Sequence, residues 1–251
     1  MARTAIRGRL NWQTGTVVDT VRETPEVKTI ALDVPGWAGH QAGQHVDVRL
    51  TAPDGYQTER SYSIASAPED QYLLLTVERL ENGEVSPYLV DELRAGDEVE
   101  FRGPIGGYFV WDDPVGGPLF LVAGGSGIVP FRSILRHHRA IASKVPVRLL
   151  CSARSLQLLI YREELMEIAA YDPFDISVTL TREAAETWHG YRRRIDNELL
   201  AEVAWAPDEQ PLTYICGPNA FVETAAGLLV ALGHDPGRIR TERFGGIGAA
   251  S

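Results

Sequence analysis

The stretch LFLVAGGSGIVPFRSIL (residues 119–135) runs from an uninterrupted apolar segment through a glycine turn into a helix opening, with Pro130 in the first helical turn. A continuous apolar run is the pattern of a strand buried on both faces, and such strands belong to parallel sheets covered by helices. Proline suits a first helical turn because the N–H it lacks would have no partner there. A helix N-terminus behind glycines offers unpaired N–H groups and the positive end of the helix dipole, so Gly124, Gly125 and Gly127 form a candidate phosphate cradle. The spelling GGSGIVP departs from the strict GxGxxG, and a glycine turn after a buried strand can also be purely structural.

Downstream the same grammar repeats. VPVRLLCSA, FDISVTLTR and PLTYICGP read as further strands, with RIRTERF as a fifth, and helices are expected near 129–143, 157–170, 195–204 and 219–233. Such alternation predicts βαβ units and a parallel α/β sheet, with ligands bound outside the carboxyl ends of the strands. Ser152, Arg154, Arg182 and the CGP turn (Cys216, Gly217, Pro218) fall at those ends. In YICGPNAFVETAAGLL (214–229) Asn219 is placed to cap a helix, though Gly-Pro also ends strands routinely and a free cysteine is often a small buried hydrophobe. Arg154, Arg182 and the run Arg192, Arg193, Arg194 suggest a phosphate clamp, since guanidinium offers a bidentate fork. The alternative is a solvated face paired with Glu183, Glu186 and Asp196.

Upstream, from about 14 to 110, apolar residues alternate or come in short runs (HVDVRL, YLLLTVERL, DEVEFRG), which predicts a small antiparallel barrel or sandwich. One helix is expected in SPYLVDELRAG, with Ser86 as N-cap, Pro87 first in the helix and Gly96 beyond its end. WDDPVGGP (111–118) reads as a linker, dividing the chain into an antiparallel β-barrel domain (1–112) and an α/β domain (113–251). RSYSIAS (60–66) has no hydrophobic face. Alternation puts Arg60 and Tyr62 on one side, a cation and a flat ring beside hydroxyls, which suits a ligand carrying both phosphate and an aromatic ring system. An exposed polar strand is the plainer alternative.

Composition narrows the function. The 251 residues carry 24 Lys plus Arg against 34 Asp plus Glu, a net charge of −10, which argues against a nucleic-acid or anionic-membrane binder. No apolar run of membrane-spanning length and no signal peptide is apparent, so a cytoplasmic location is expected. Two cysteines, Cys151 and Cys216, cannot ligate an iron–sulfur cluster, and the six histidines, including the pair His137 and His138, have no metal-site spacing.

In order and content these motifs resemble the ferredoxin–NADP reductase superfamily of flavoproteins: RSYS its flavin motif, NGEVSPYL (82–89) its second flavin-phosphate segment, GGSGIVP its nicotinamide-nucleotide loop, CGP its nicotinamide-side turn and ERFG (242–245) its C-terminal segment. The resemblance spans roughly residues 14 to 246. It implies an FAD-binding barrel and an NAD(P)-binding α/β domain meeting at a cleft, with hydride passing from nicotinamide to flavin and electrons then leaving to an acceptor. Carried over, Arg60 would hold the FAD pyrophosphate together with Gly83, Val85 and Ser86, Tyr62 would stack on the ring system and Ser63 would bond its edge. Gly124, Gly125, Gly127, Pro130, Ser152, Gly217 and Pro218 would border the nicotinamide nucleotide, and Cys216, Glu242 and Phe244 would lie at the reacting rings. SAR ending at Arg154 and LTRE containing Arg182 resemble a 2′-phosphate grip, which favours NADPH over NADH; Arg194, from the arginine run, is a further candidate for binding the cofactor.

Phe244 departs from the family pattern in not ending the chain, since GGIGAAS follows. Glu242 is the carboxylate of this segment, a candidate for proton or electron transfer, with an ordinary surface acid as the alternative. Lack of a cysteine cluster makes a separate acceptor the expectation: ferredoxin, flavodoxin or an oxygenase component. Arg3, Arg7 and Arg9 read as a frayed, solvated terminus, with a basic arm for an acidic partner as the alternative. Alternatives are an NAD(P)H:flavin or quinone reductase, and a non-catalytic flavin-binding electron-transfer subunit.

Overall fold

The structure, a computed structural model, describes residues 10–113, 116–171, 173–183 and 186–244. Arg3, Arg7, Arg9, Pro114, Val115 and everything after Phe244, including Gly245, lie outside the described residues. The first sheet is six-stranded, in the order β4-β3-β6-β1-β2-β5: β1 Trp12–Thr24, β2 Val27–Asp33, β3 His45–Thr51, β4 Gln57–Ser63, β5 Leu73–Glu78 and β6 Glu98–Ile105. All its pairings are antiparallel. An isolated antiparallel bridge from Ile64 to Leu75 joins the ends of the sheet and closes it into a barrel. Its core holds Val17, Ile30, Leu32, Val46, Val48, Ile64, Leu75 and Phe101. Period-2 alternation puts these on one face, as half-buried strands require.

Between β5 and β6 the chain winds into a short π-helical turn, Tyr88–Glu92. The expected helix is there, but Ser86 is not its cap: Pro87 is the capping residue and accepts no side-chain bond. The Ser86 hydroxyl instead accepts the Leu80 N–H at 3.0 Å. Buried Lys28 on β2 donates to the carbonyls of Leu89 and Leu93, each at 3.0 Å, and so closes the turn's C-terminal end.

The second sheet is five-stranded and parallel, ordered β11-β10-β7-β8-β9: β7 Leu119–Gly124, β8 Val147–Ser155, β9 Phe174–Glu183, β10 Leu212–Pro218 and β11 Ile239–Phe244. Helices α1 (Val129–Ala140), α2 (Arg162–Ile168), α3 (Asn197–Val203) and α4 (Asn219–Ala231) intervene. Strand β7 is buried throughout. Leu119, Leu121 and Ala123 face the cluster with Phe131, Ile134 and Leu149, while Phe120 and Val122 face Leu199, Val222 and Leu229. That two-sided burial is why its sequence does not alternate.

The helix expected over 157–170 is shorter, because a 3-10 turn (Leu156–Leu158) and a left-handed Tyr161 (φ 59) precede α2. Asn219 does not cap α4; Pro218 occupies the capping position and Asn219 begins the helix. Nor does WDDPVGGP behave as a linker from its first residue: Trp111 is buried, stacked on His138 and part of the α/β core with Phe109 and Ala65. The two sheets therefore share continuous apolar packing. Ser133 on α1 adds a 2.6 Å bond to the Ser66 carbonyl across it.

Candidate active site

The strand order of the parallel sheet reverses between β7 and β10, which places a crevice at their carboxyl ends. The glycines predicted there are sterically required. A Cβ on Gly127 would lie 2.0 Å from the Cys216 carbonyl oxygen, and Cβ atoms on Gly124 and Gly217 would each come within 2.8 Å of the Phe221 ring. Gly125 differs, taking a left-handed φ of 55° with open space beside it. Pro130 sits in the first turn of α1, as expected, and Ser152 pairs with Gly124 in the adjoining strand. Phe221, the lid over two glycines, was not read from the sequence.

Cys216 is buried, next to Glu242 in the β10/β11 register, and Pro218 pairs with Phe244, which packs half-buried against the core. Burial, then the nearby Glu242 carboxylate, push the Cys216 thiol well above its usual range, so it stays protonated. Burial alone raises the Glu242 carboxyl to about 7. Its Oε2 is buried without a hydrogen-bond partner among the described residues, and its Oε1 lies 3.9 Å from His45 Nδ1 on β3. Burial lowers the His45 imidazole from its usual range, against a smaller opposing pull from Asp47, and His45 sits directly across the β3/β4 ladder from Ser63. The barrel strand paired with the predicted flavin motif thus meets the end of the parallel sheet. His45 went unread because only strand register connects it to Ser63.

Along β4 the side chains sort by face. Ser61 donates to Asp47 at 2.6 Å and Glu59 pairs with Arg102, forming an outward network. On the other face, Tyr62 packs against the barrel core, and burial raises its phenol to about 12. Arg60 is exposed and its Nη2 meets Glu84 at 3.2 Å. Beyond Ser63, RSYSIAS does have a buried half: Ile64, Ala65 and Ser66 are fully inside. Gly83 is confined by the Ser86 hydroxyl, which its Cβ would approach to 2.8 Å, and Val85 is buried.

Arg154 and Arg182 are exposed at the ends of adjacent strands β8 and β9, and neither makes an ion pair with another described residue. Arg194 is likewise exposed and without an ion pair among the described residues. Arg193 pairs with Glu198 (2.9 Å) and Asp196 (3.4 Å), and Arg192 donates to the carbonyls of Glu186 and Trp188, so the clamp reading thins to Arg154, Arg182 and Arg194. His137 bonds Glu69 and His138 bonds the Val145 carbonyl. No cluster of metal-ligating side chains occurs among the described residues, and no helix among them is long and apolar enough to cross a membrane.

Comparison with known proteins places both halves. Residues 15–110 match the oxidoreductase FAD-binding domain family and residues 121–227 the oxidoreductase NAD-binding domain family. The chain is 34% identical over 211 residues to ferredoxin–NADP reductase B of Sorangium cellulosum, covering 81% of this chain and 85% of that protein. It is also 34% identical over 235 residues to the glycine betaine monooxygenase reductase subunit of Pseudomonas aeruginosa, covering 91% of this chain but 63% of that one. The FAD/NAD-binding domain of nitric oxide dioxygenase from Vibrio cholerae superposes with a TM-score of 0.83 at 26% identity, covering 93% and 99% of the two chains. The chain belongs to the ferredoxin–NADP reductase-like superfamily of FAD- and NAD(P)-binding oxidoreductases.

Proposed function

We propose that the chain is an FAD-dependent NAD(P)H oxidoreductase that passes electrons to a separate acceptor such as a ferredoxin, a flavodoxin or an oxygenase component. The observation that carries this is the convergence of His45 and the end of β4 from the barrel with Cys216 and Glu242 from the parallel sheet. The residues fit the two cofactors: the glycine turn has no room for side chains at Gly124, Gly127 and Gly217 yet stays open at Gly125, and the face of β4 carries hydroxyl and guanidinium donors. The barrel half is taken as residues 1–112 and the nucleotide half as 113–251.

FAD, when bound, would supply a hydride acceptor for a reduced nicotinamide and a relay of electrons to the acceptor. Arg60 and the turn of Gly83, Val85 and Ser86 hold the FAD diphosphate. Tyr62, fixed by the barrel core and uncharged below about pH 12, presents a rigid ring face to the flavin, and the Ser63 hydroxyl bonds its edge. Gly124, Gly125, Gly127 and the N-terminus of α1 at Pro130 hold the nicotinamide nucleotide phosphates, bordered by Ser152, Gly217 and Pro218. Arg154, Arg182 and Arg194 take the 2′-phosphate, which selects NADPH over NADH.

Cys216 acts through bulk and polarisability, since its thiol stays protonated. Glu242 holds a proton near neutral pH at the seam, with His45 Nδ1 as its neighbour for exchange. Phe244 shields the reacting rings from water. A separate acceptor is supported by the relatives, one being the reductase subunit of a monooxygenase. The test is the absorption spectrum of the purified chain with FAD, followed by anaerobic NADPH and NADH titration. Flavin bleaching by NADPH is expected, and a protein that takes up no FAD refutes the assignment.

A further inference from the structure

Tyr56, Thr58 and Arg60 project along one face of the β4 segment, and all meet one group, the carboxylate of Glu84. Tyr56 Oη donates to Oε1 at 3.2 Å; Thr58 Oγ1 and Arg60 Nη2 donate to Oε2 at 3.1 and 3.2 Å. Two hydroxyls and a guanidinium converging on two oxygens form an anion cradle, the arrangement a diphosphate would use. Here a side chain of the same protein fills it.

The backbone around Glu84 is fixed while its side chain is not. Gly83 N–H bonds the Leu80 carbonyl at 2.9 Å, Leu80 N–H bonds the Ser86 hydroxyl at 3.0 Å, and Val85 is fully buried, so the turn has no slack. The Glu84 and Arg60 side chains are 51% and 52% exposed. An exposed pair of this kind is weak and opens readily to water. Glu84 can therefore leave the cradle by side-chain rotation alone, with the turn in place.

We propose that Glu84 is an internal competitor for the FAD diphosphate: its carboxylate occupies the Tyr56–Thr58–Arg60 cradle, must swing out for the diphosphate to enter, and then stands beside it as a like charge. The proposal rests on the reading of Arg60 as a diphosphate ligand. It assigns Tyr56 and Thr58 to the same subsite and makes the flavin of this protein readily exchangeable. Riboflavin, which has no phosphate, is indifferent to Glu84.

The test is equilibrium binding of FAD and of riboflavin to the flavin-stripped full chain, followed by flavin fluorescence, for the parent, Glu84→Gln, Glu84→Ala and Arg60→Ala. Glu84→Gln and Glu84→Ala are expected to tighten FAD three- to tenfold, slow its release and leave riboflavin unchanged. FAD affinity unchanged or weakened in both Glu84 variants overturns the competitor role. Equal tightening of FAD and riboflavin also overturns it, since the effect then does not act through phosphate. Arg60→Ala separates the underlying reading: it weakens FAD at least tenfold if Arg60 holds the diphosphate, and an unchanged value refutes that assignment and the proposal with it.

Discussion

His45 on β3 and Glu242 on β11 face each other across the seam between the two sheets, Nδ1 to Oε1 3.9 Å apart. Burial acts on them in opposite senses, lowering the imidazole and raising the carboxyl, and each shift favours the uncharged form. A contact that resembles an ion pair is thus an imidazole that burial disfavours charging beside a carboxyl that is only about half ionised near pH 7. A group poised near pH 7 where two nucleotide-binding halves meet is placed to take up and release protons.

Glu242 leaves a signature in stability. Below about pH 4.5 the carboxyl is protonated in the folded and unfolded chains alike. Between 4.5 and about 7 the unfolded chain releases the proton first, so this group's contribution to stability is lost as pH rises through the window. Glu242→Gln removes the effect. The variant's stability relative to the parent should therefore climb by about 2 kcal/mol from pH 4.5 to 7.5, a figure already reduced for the partial exposure of the group. Urea denaturation at stepped pH measures it, and the histidines other than His45, which touches Glu242, cancel in the difference. A flat difference would show that Glu242 titrates normally.

The arginines separate by their partners. Arg154→Ala should weaken NADPH by about 1.5–3 kcal/mol, the scale of a charged hydrogen bond, and leave NADH unaffected. Arg182→Ala should act in the same direction. Arg193→Ala should change little, because that side chain is already paired with Glu198 and Asp196. Equal losses for both nucleotides on replacing Arg154 would remove the 2′-phosphate assignment.

Much of this was legible because the physics is local in sequence. A strand covered on both faces must be apolar throughout, so LFLVAG announced a parallel sheet, whereas Gly127 reads in sequence as room for a phosphate and in the structure is held by the Cys216 carbonyl of the neighbouring turn. His45 was hidden, since its link to Ser63 is a matter of register between strands, and register is set by the whole barrel. Glu84 could have been found: an acid inside a predicted phosphate-binding segment is a local conflict, and such conflicts mark sites where function outweighs stability. The Ser86 cap failed because the turn is π-helical and its hydroxyl is drawn back to Leu80.

Lys28 is a charged residue inside an otherwise apolar strand, VKTIALD, and its ammonium is satisfied by the Leu89 and Leu93 carbonyls. Lys28→Met keeps the length of the side chain but strands both acceptors at the end of the π-helical turn. Chemical denaturation should show a loss of about 2–3 kcal/mol. A neutral substitution would mean that the turn re-forms with water in place of the ammonium.

Gly125 and Gly127 lie in one turn but answer to different constraints. At Gly125 the backbone is left-handed and the space beside it open, so Gly125→Ala meets only conformational strain, about 1–2 kcal/mol. At Gly127 a Cβ would be driven to 2.0 Å from the Cys216 carbonyl oxygen, a backbone atom that cannot rotate away. Gly127→Ala must therefore push the β7 and β10 turns apart, which should cost about 3 kcal/mol or more and pull Cys216 off its position at the seam. Thermal denaturation separates the two variants by Tm. Nucleotide titration separates them again, because Gly125→Ala leaves the crevice between the strands intact while Gly127→Ala widens it. Equal Tm losses would mean that the two turns can slide past each other, and that the close contact between them is not what fixes the crevice.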